Sequence, residues 1–347
     1  MESKIDIRKL SLNEITEKFK SWDEKPFRAK QVYEWLWKFS SHSFDDMTNL
    51  SLALRQKLKE NFEIRSLVTT ATQKSADTTV KCAFKLFDGN IVEGVLIPTE
   101  TRMTACVSSQ VGCSLNCKFC ATGYLKRERN LEAGEIYDQV VELNRIAIEY
   151  YGLPLSNIVY MGMGEPLLNY QNVLQSVEHI TSEQGLGMAA KRITVSTSGI
   201  AKMIKKLADD GVKFNLALSL HEADNVKRSA IMPINDSNPL EELQEALRYF
   251  YSKTKNQITL EYVVINNTND SDEDALNVVK FASKIPKVKV NLIEYNPIDN
   301  ADFKASNITK MERFASILKK HDVLAVIRRS RGKDIDAACG QLANKTQ

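Results

Sequence analysis

Long apolar runs are absent from this chain: nowhere do its residues approach the roughly 20 consecutive apolar positions that a helix needs to cross a bilayer. The first ten residues, MESKIDIRKL, are charged from the second position and lack the apolar core of a secretory signal. A cytoplasmic protein without membrane association is therefore expected. A large excess of one charge is missing too. The 47 Lys and Arg against 44 Asp and Glu leave a net charge of +3, which pulls only weakly on an anionic partner. There is no internal repeat of fixed period and no low-complexity segment. Stable disulfides are not expected in a reducing compartment. Yet three of the six cysteines, Cys113, Cys117 and Cys120, fall within eight residues, so metal or redox chemistry is the better reading.

The 347 residues suffice for one large domain and a small one. Residues 1–75 read as a helical N-terminal domain, with apolar residues at three- and four-residue spacing over 10–19, 29–39 and 52–62. Trp35, Leu36 and Trp37 read as core. Lysine and arginine recur through the first 40 residues, beside the cysteine cluster and again near Arg328 and Arg331, as solvated helix faces or as phosphate contacts. Residues 76–100 read as a β-hairpin, turning at Asp88-Gly89-Asn90. From 101 to 347 strand and helix alternate. Strands are expected at 104–108, 157–161, 192–197, 214–220, 258–265, 288–294 and 324–329. Helices are expected at 132–151, 170–184, 240–253, 272–283 and 310–321. The pattern predicts an α/β fold with a parallel sheet, open or curled into a full or partial barrel.

The cysteines have C-x3-C-x2-C spacing, with Phe119 before the last, and they follow the first strand of the αβ region. Three thiolates on one loop can hold three irons of a cubane and leave the fourth without a protein ligand. Structural zinc would need a fourth ligand, and no histidine or further cysteine lies locally; Cys106, seven residues upstream, is conceivable. Other polar residues end strands on the same rim: Gly164 and Glu165 in Gly162-Met163-Gly164-Glu165-Pro166, then Ser196, then Ser219-Leu220-His221, then Asn296. Each alone reads equally well as a strand terminus.

The cysteine spacing after the first barrel strand resembles the radical S-adenosylmethionine (SAM) superfamily, in which SAM chelates the open iron of a 4Fe–4S cluster held here by Cys113, Cys117 and Cys120. The resemblance implies that Gly164 and Glu165 contact the SAM amino group, that Ser196, Ser219, Leu220 and His221 contact its ribose and carboxylate, and that Asn296 contacts its adenine or ribose. Cys106, the cluster, Gly162 to Asn169 and the terminal Asp334 to Leu342 together resemble the RlmN/Cfr family of radical-SAM RNA (adenine) methyltransferases over essentially the whole chain. In that family the ring carbon is too electron-poor for direct methyl transfer. The resemblance implies that Cys339 takes a methyl group from one SAM, that a second SAM is cleaved to generate a radical at that methyl group, and that the resulting carbon radical adds to adenine. Cys106 then releases the tethered RNA and forms a transient disulfide with Cys339. Basic residues upstream of Cys339 are expected to favour its thiolate.

Glu93 matches the family's proton acceptor; on residues alone it could equally be an outward-facing edge-strand glutamate. Cys82 reads as packing. The implied partners are 23S rRNA, tRNA and an electron donor such as flavodoxin or ferredoxin, with a monomer expected. Pro166 after Glu165, and Ser198-Gly199 after Thr197, look like the branch that modifies carbon 2 rather than carbon 8. A radical-SAM activase and a zinc-stabilised RNA-binding module remain the alternatives.

Overall fold

The computed structural model describes residues 4–345. A helical module comes first: α1 (Leu12–Lys20), α2 (Pro26–Trp37) and α3 (Leu52–Asn61). Ser11 and Glu14 form a reciprocal capping box on α1. Pro26 starts α2, where its missing N–H leaves no extra orphan, and the Ser51 hydroxyl caps α3. A two-residue parallel pairing of Ile5–Asp6 with Phe62–Glu63 closes the module.

The rest is built on one ten-stranded sheet. Its strands are β1 (Val68–Lys74), β2 (Val80–Lys85), β3 (Ile91–Thr99), β4 (Arg102–Cys106), β5 (Asn157–Tyr160), β6 (Ile193–Thr197), β7 (Asn215–Ser219), β8 (Ile258–Val264), β9 (Val288–Glu294) and β10 (Leu324–Arg328). Neighbours follow chain order throughout. Strands β1 to β4 pair antiparallel, and β4 to β10 pair parallel. The crossovers carry α4 (Ala133–Tyr151), α5 (Tyr170–Thr181), α6 (Ala201–Asp209), α7 (Asn225–Ile231), α8 (Leu240–Thr254), α9 (Asp272–Ala282) and α10 (Ile308–Lys320). Parallel strands covered by helices are buried on both sides and read as continuous apolar runs. Strand β8 is buried at every position.

All seven αβ strands lie within about two residues of their expected places, and the three N-terminal helices within three. One strand runs where helix was expected. Val68 to Lys74 is β-branched and threonine-rich, and its side chains alternate between exposed and half-buried positions, a period-two surface that suits an edge strand. It turns the expected hairpin into three antiparallel strands, and helix ends with α3.

The module docks on α4. Arg8, almost fully buried, sits between Asp6 and Asp138, its guanidinium 2.8 Å from the Asp138 carboxylate. Trp37 is buried as expected and stacks flat on His179 of α5, ring centroids 3.5 Å apart. Cys82 is buried inside β2, and burial pushes its thiol up to about 12, as a packing residue should behave.

Candidate active site

The loop after β4 carries Cys113, Cys117 and Cys120 and then a tight turn, Ala121–Tyr124. The turn is held from within: the Cys120 N–H donates to the Cys117 carbonyl, and the Gly123 N–H to the Cys120 carbonyl. The three thiols border one cleft at the C-terminal ends of the parallel strands, together with Gly164, Glu165, Ser196, Ser219, His221 and Cys339. The sequence thus assembles nine of its thirteen candidate residues on one surface. The cleft encloses about 990 Å3, counting its open mouth.

Each strand end is fixed by local chemistry. Gly162 must be glycine because a Cβ there would sit 2.7 Å from the Ser108 hydroxyl; Gly164 has φ +94° and would clash with Gln110. Ser108 and Gln110, which no sequence signal marks, organise this turn: the Met163 N–H donates to Ser108 Oγ at 2.8 Å, and the Glu165 N–H to Gln110 Oε1 at 2.9 Å. The Glu165 carboxylate accepts from the Leu167 and Ser198 N–H groups at 3.0 and 2.7 Å, while burial pushes its pKa up. Ser196 and Ser219 stand side by side, hydroxyl oxygens 3.5 Å apart. His221 adopts φ +54°, its Nδ1 accepts from the Val263 N–H at 3.0 Å, and burial with Arg228 nearby lowers it to about 3. It is a neutral imidazole.

The cysteines fit an iron–sulfur cluster by their chemistry. Burial pushes Cys113 up to about 11 and drives Cys117 and Cys120 upward as well, and Cys113 and Cys120 raise Cys117 further. Thiolates so placed need metal cations to exist at neutral pH. All three line the one cleft, and a cubane takes its thiolates one to each iron. Leu115, Ile231 and Met232 form an apolar wall behind them.

Cys339 arrives on a C-terminal strap. The strap is tied to the cluster loop by Ala121 N–H to the Gly340 carbonyl at 2.7 Å and by the Thr122 hydroxyl to the Leu342 carbonyl at 2.7 Å. Cys339 is exposed to solvent, yet it lies inside the concave cleft. Its pKa is therefore raised, first by desolvation and then by Glu261; Arg328 offsets only part of this. The expected thiolate-favouring basic environment is overruled by the cleft wall, and Cys339 is a thiol. Cys106, at the end of β4, is buried, and burial pushes it up to about 12, with Cys339 close enough to add to the rise.

Four candidates do not line the cleft: Cys106, Glu93, Leu220 and Asn296. Leu220 is a buried core side chain whose backbone continues the strand pairing, its N–H donating to the Glu261 carbonyl at 2.9 Å. Asn296 donates to the Cys339 carbonyl at 3.1 Å and so holds the strap. Glu93 is buried, not outward-facing. It lies 3.5 Å from Lys81 and accepts the Ala343 and Asn344 N–H groups at 2.9 and 3.1 Å. Sequence reasoning missed Glu261 and Arg228. Glu261 lines the cleft and accepts from Asn291 at 2.8 Å. Arg228 is completely buried. Neither sits in a motif; an ionisable residue inside an otherwise apolar strand, as at Glu261, was the one available signal.

This architecture, a parallel sheet whose strand ends open into a cysteine-lined cleft, is that of the radical-SAM class of enzymes. Residues 107–279 match the family described as the radical SAM superfamily, and residues 5–64 match the ribosomal RNA large subunit methyltransferase N-terminal domain. A relative from Flavobacterium psychrophilum, named "Probable dual-specificity RNA methyltransferase RlmN", is 58% identical over 99% of this chain and 98% of its own. One of the same name from Cytophaga hutchinsonii is 57% identical over 98% and 93%. The crystal structure of a radical SAM methyltransferase from Sphaerobacter thermophilus superposes with a TM-score of 0.91 at 38% identity, covering 97% of this chain and 99% of that one. The chain belongs to the RlmN family of dual-specificity radical-SAM RNA methyltransferases. The expected RNA-methyltransferase family and the mixed α/β fold are both borne out, and membership implies a 4Fe–4S cluster and SAM. No helix among the described residues is long and apolar enough to cross a membrane.

Proposed function

We propose that this enzyme methylates carbon 2 of an adenosine in the peptidyl-transferase centre of 23S rRNA and of the adenosine 3′ to the anticodon in tRNAs. It acts in the cytoplasm as a monomer, uses two SAM molecules per turnover, and draws electrons from a donor such as flavodoxin or ferredoxin. The observation that carries this reading is the pair of free cysteines, Cys339 in the cleft and Cys106 behind it, beside the three cluster cysteines. An ordinary radical-SAM activase needs no such pair. The dual-specificity name shared by relatives across the full chain supports two RNA classes, and Pro166 with Ser198-Gly199 supports carbon 2.

Bound cluster and SAM supply a hydrogen-abstracting radical; the rest falls to this chain. The Cys339 sulfur would take the methyl group from a bound SAM, which would leave as the neutral thioether S-adenosylhomocysteine, and Glu261, which lines the same cleft, would take the thiol proton. Cys339 thereafter carries the one-carbon unit to the ring, tethering RNA to the protein. Glu93 accepts the ring proton. That step requires a second position of residues 343–344, whose N–H groups now occupy its carboxylate. Attack by Cys106 on the Cys339 sulfur releases methylated RNA and leaves a disulfide for external reductants. Gly164, Glu165, Ser196, Ser219, Leu220, His221 and Asn296 form the SAM side of the site, Leu220 through its backbone.

The test uses the anaerobically purified, iron-loaded enzyme, RNA and SAM. Cys339→Ala should abolish RNA methylation, and Cys106→Ala should leave RNA covalently trapped on the protein. Full turnover by either variant refutes the two-cysteine reading, and mass spectrometry of the product locates the methyl group on carbon 2 or elsewhere.

A further inference from the structure

Two arginines are buried in this molecule, and their partners differ in kind. Arg8 lies among carboxylates, beside Asp6 and Asp138. Arg228 on α7 is completely buried yet forms no ion pair among the described residues. Its guanidinium donates to the Leu220 carbonyl at 3.0 Å, the Asn235 side-chain oxygen at 2.9 Å, the Ser198 carbonyl at 2.7 Å and the Ser219 carbonyl at 3.2 Å. All four acceptors are neutral. A guanidinium is always protonated at neutral pH, and burying one without a counter-charge carries a large desolvation penalty. Tying strand ends together would need only neutral donors, so the charge itself requires a partner.

The loop that adjoins α7 is the one that carries the three cluster cysteines. Ile231 and Met232, at the end of α7, pack against Leu115 and Cys117, and the Lys118 N–H donates to the Ile231 carbonyl at 3.0 Å. The Arg228 guanidinium itself bonds the carbonyls of Ser198 and Ser219, two residues that line the same cleft as Cys113, Cys117 and Cys120. A cubane with three thiolate ligands is an anion and becomes more negative on taking up an electron, and its potential responds to nearby charge.

We propose that Arg228 is the fixed counter-charge of the iron–sulfur cluster: a buried cation, left unpaired by the protein, that favours cluster assembly and makes the cluster easier to reduce. This rests on the reading that Cys113, Cys117 and Cys120 hold a cluster. Arg228 touches neither substrate nor reacting atoms, so it is a positioning and tuning residue. Its hydrogen bonds also fasten Ser198, Ser219 and Leu220, so the charge and the scaffold must be separated.

The experiment reads iron content and the EPR-monitored midpoint potential of anaerobically reconstituted wild type, Arg228→Lys and Arg228→Gln. Lys keeps the charge and loses the fork; Gln keeps donors and loses the charge. The inference expects Arg228→Gln to be at least tenfold harder to reduce, a negative shift of about 59 mV per tenfold for one electron. Arg228→Lys should stay near wild type. Failure of Arg228→Gln to load iron while Arg228→Lys loads supports the same role. Equal shifts in both variants, no shift in either, or failure of both to load iron overturns it, because geometry rather than charge would then be at work. A wild-type protein that takes up no cluster sinks the reading of the cysteines, a different result from any of these.

Discussion

The Thr122 hydroxyl donates to the Leu342 carbonyl oxygen at 2.7 Å, so a residue two positions past the last cluster cysteine is tied to one three positions past Cys339. The bond is buried, and its loss leaves the Leu342 carbonyl without that donor. Thr122→Val keeps the shape and removes the hydroxyl. It should loosen the strap that aims Cys339, by about 1 kcal/mol, and slow methylation roughly fivefold. Iron content should not change, because none of the three cluster cysteines is altered. Equal losses of iron and activity would mean that Thr122 serves the cluster loop and not the strap.

The Arg8–Asp138 contact joins the helical module to α4, with both side chains almost fully withdrawn from water. Asp138→Ala leaves the buried Arg8 with only its longer ion pair, at 3.5 Å, to Asp6. It should destabilise the protein by about 3 kcal/mol, read as a lower urea midpoint. Arg8→Met combined with Asp6→Asn and Asp138→Leu should recover much of that loss, because the triple change leaves no orphan charge. A triple variant no more stable than Asp138→Ala would show that packing, not charge, holds the module.

The strand–helix alternation was legible because covered parallel strands are mostly apolar and the helices between them are long and periodic. Residues 258–265 show this well: only Thr259 and Glu261 interrupt the apolar run, and β8 is buried along its length. The cysteine loop and the glycine–glutamate turn were legible because the chemistry constrains both residue type and spacing. Strand β1 was not, since an edge strand with half-exposed threonines carries little hydrophobic signal. The environment of Cys339 was misread for another reason. Basic residues close in sequence suggested a thiolate, but the pKa depends on what encloses the sulfur, and the cleft wall is assembled from strands far along the chain. Arg228 escaped notice because its role depends on having no acidic partner, and an absence in space leaves no trace in the chain. Asn296 was placed on the correct rim, but the strap it holds comes from residues more than forty positions away.

Glu222 makes the stability of the fold depend on pH. It follows His221, is fully buried, and accepts the Ala223 and Asp224 N–H groups through one oxygen, at 2.7 and 3.1 Å. Its other oxygen is buried without a partner. Burial, reinforced by Asp274, pushes its pKa up to about 7, against only partial relief from those N–H groups and Lys227. The unfolded chain titrates the same carboxyl near the usual value of about 4.3. Below that value both states are protonated and the residue contributes no difference. As pH rises towards 7 the unfolded state gives up its proton and the folded state keeps it, so stability falls with pH. Above about 7 the slope vanishes and the full cost of ionising a buried carboxyl, about 4 kcal/mol, is in place. Glu222→Gln should therefore gain stability relative to wild type as pH is raised from 5 to 8, with little difference at pH 4. Urea unfolding at each pH checks this. A stability difference that stays constant across the range would show that Glu222 is already ionised in the folded protein.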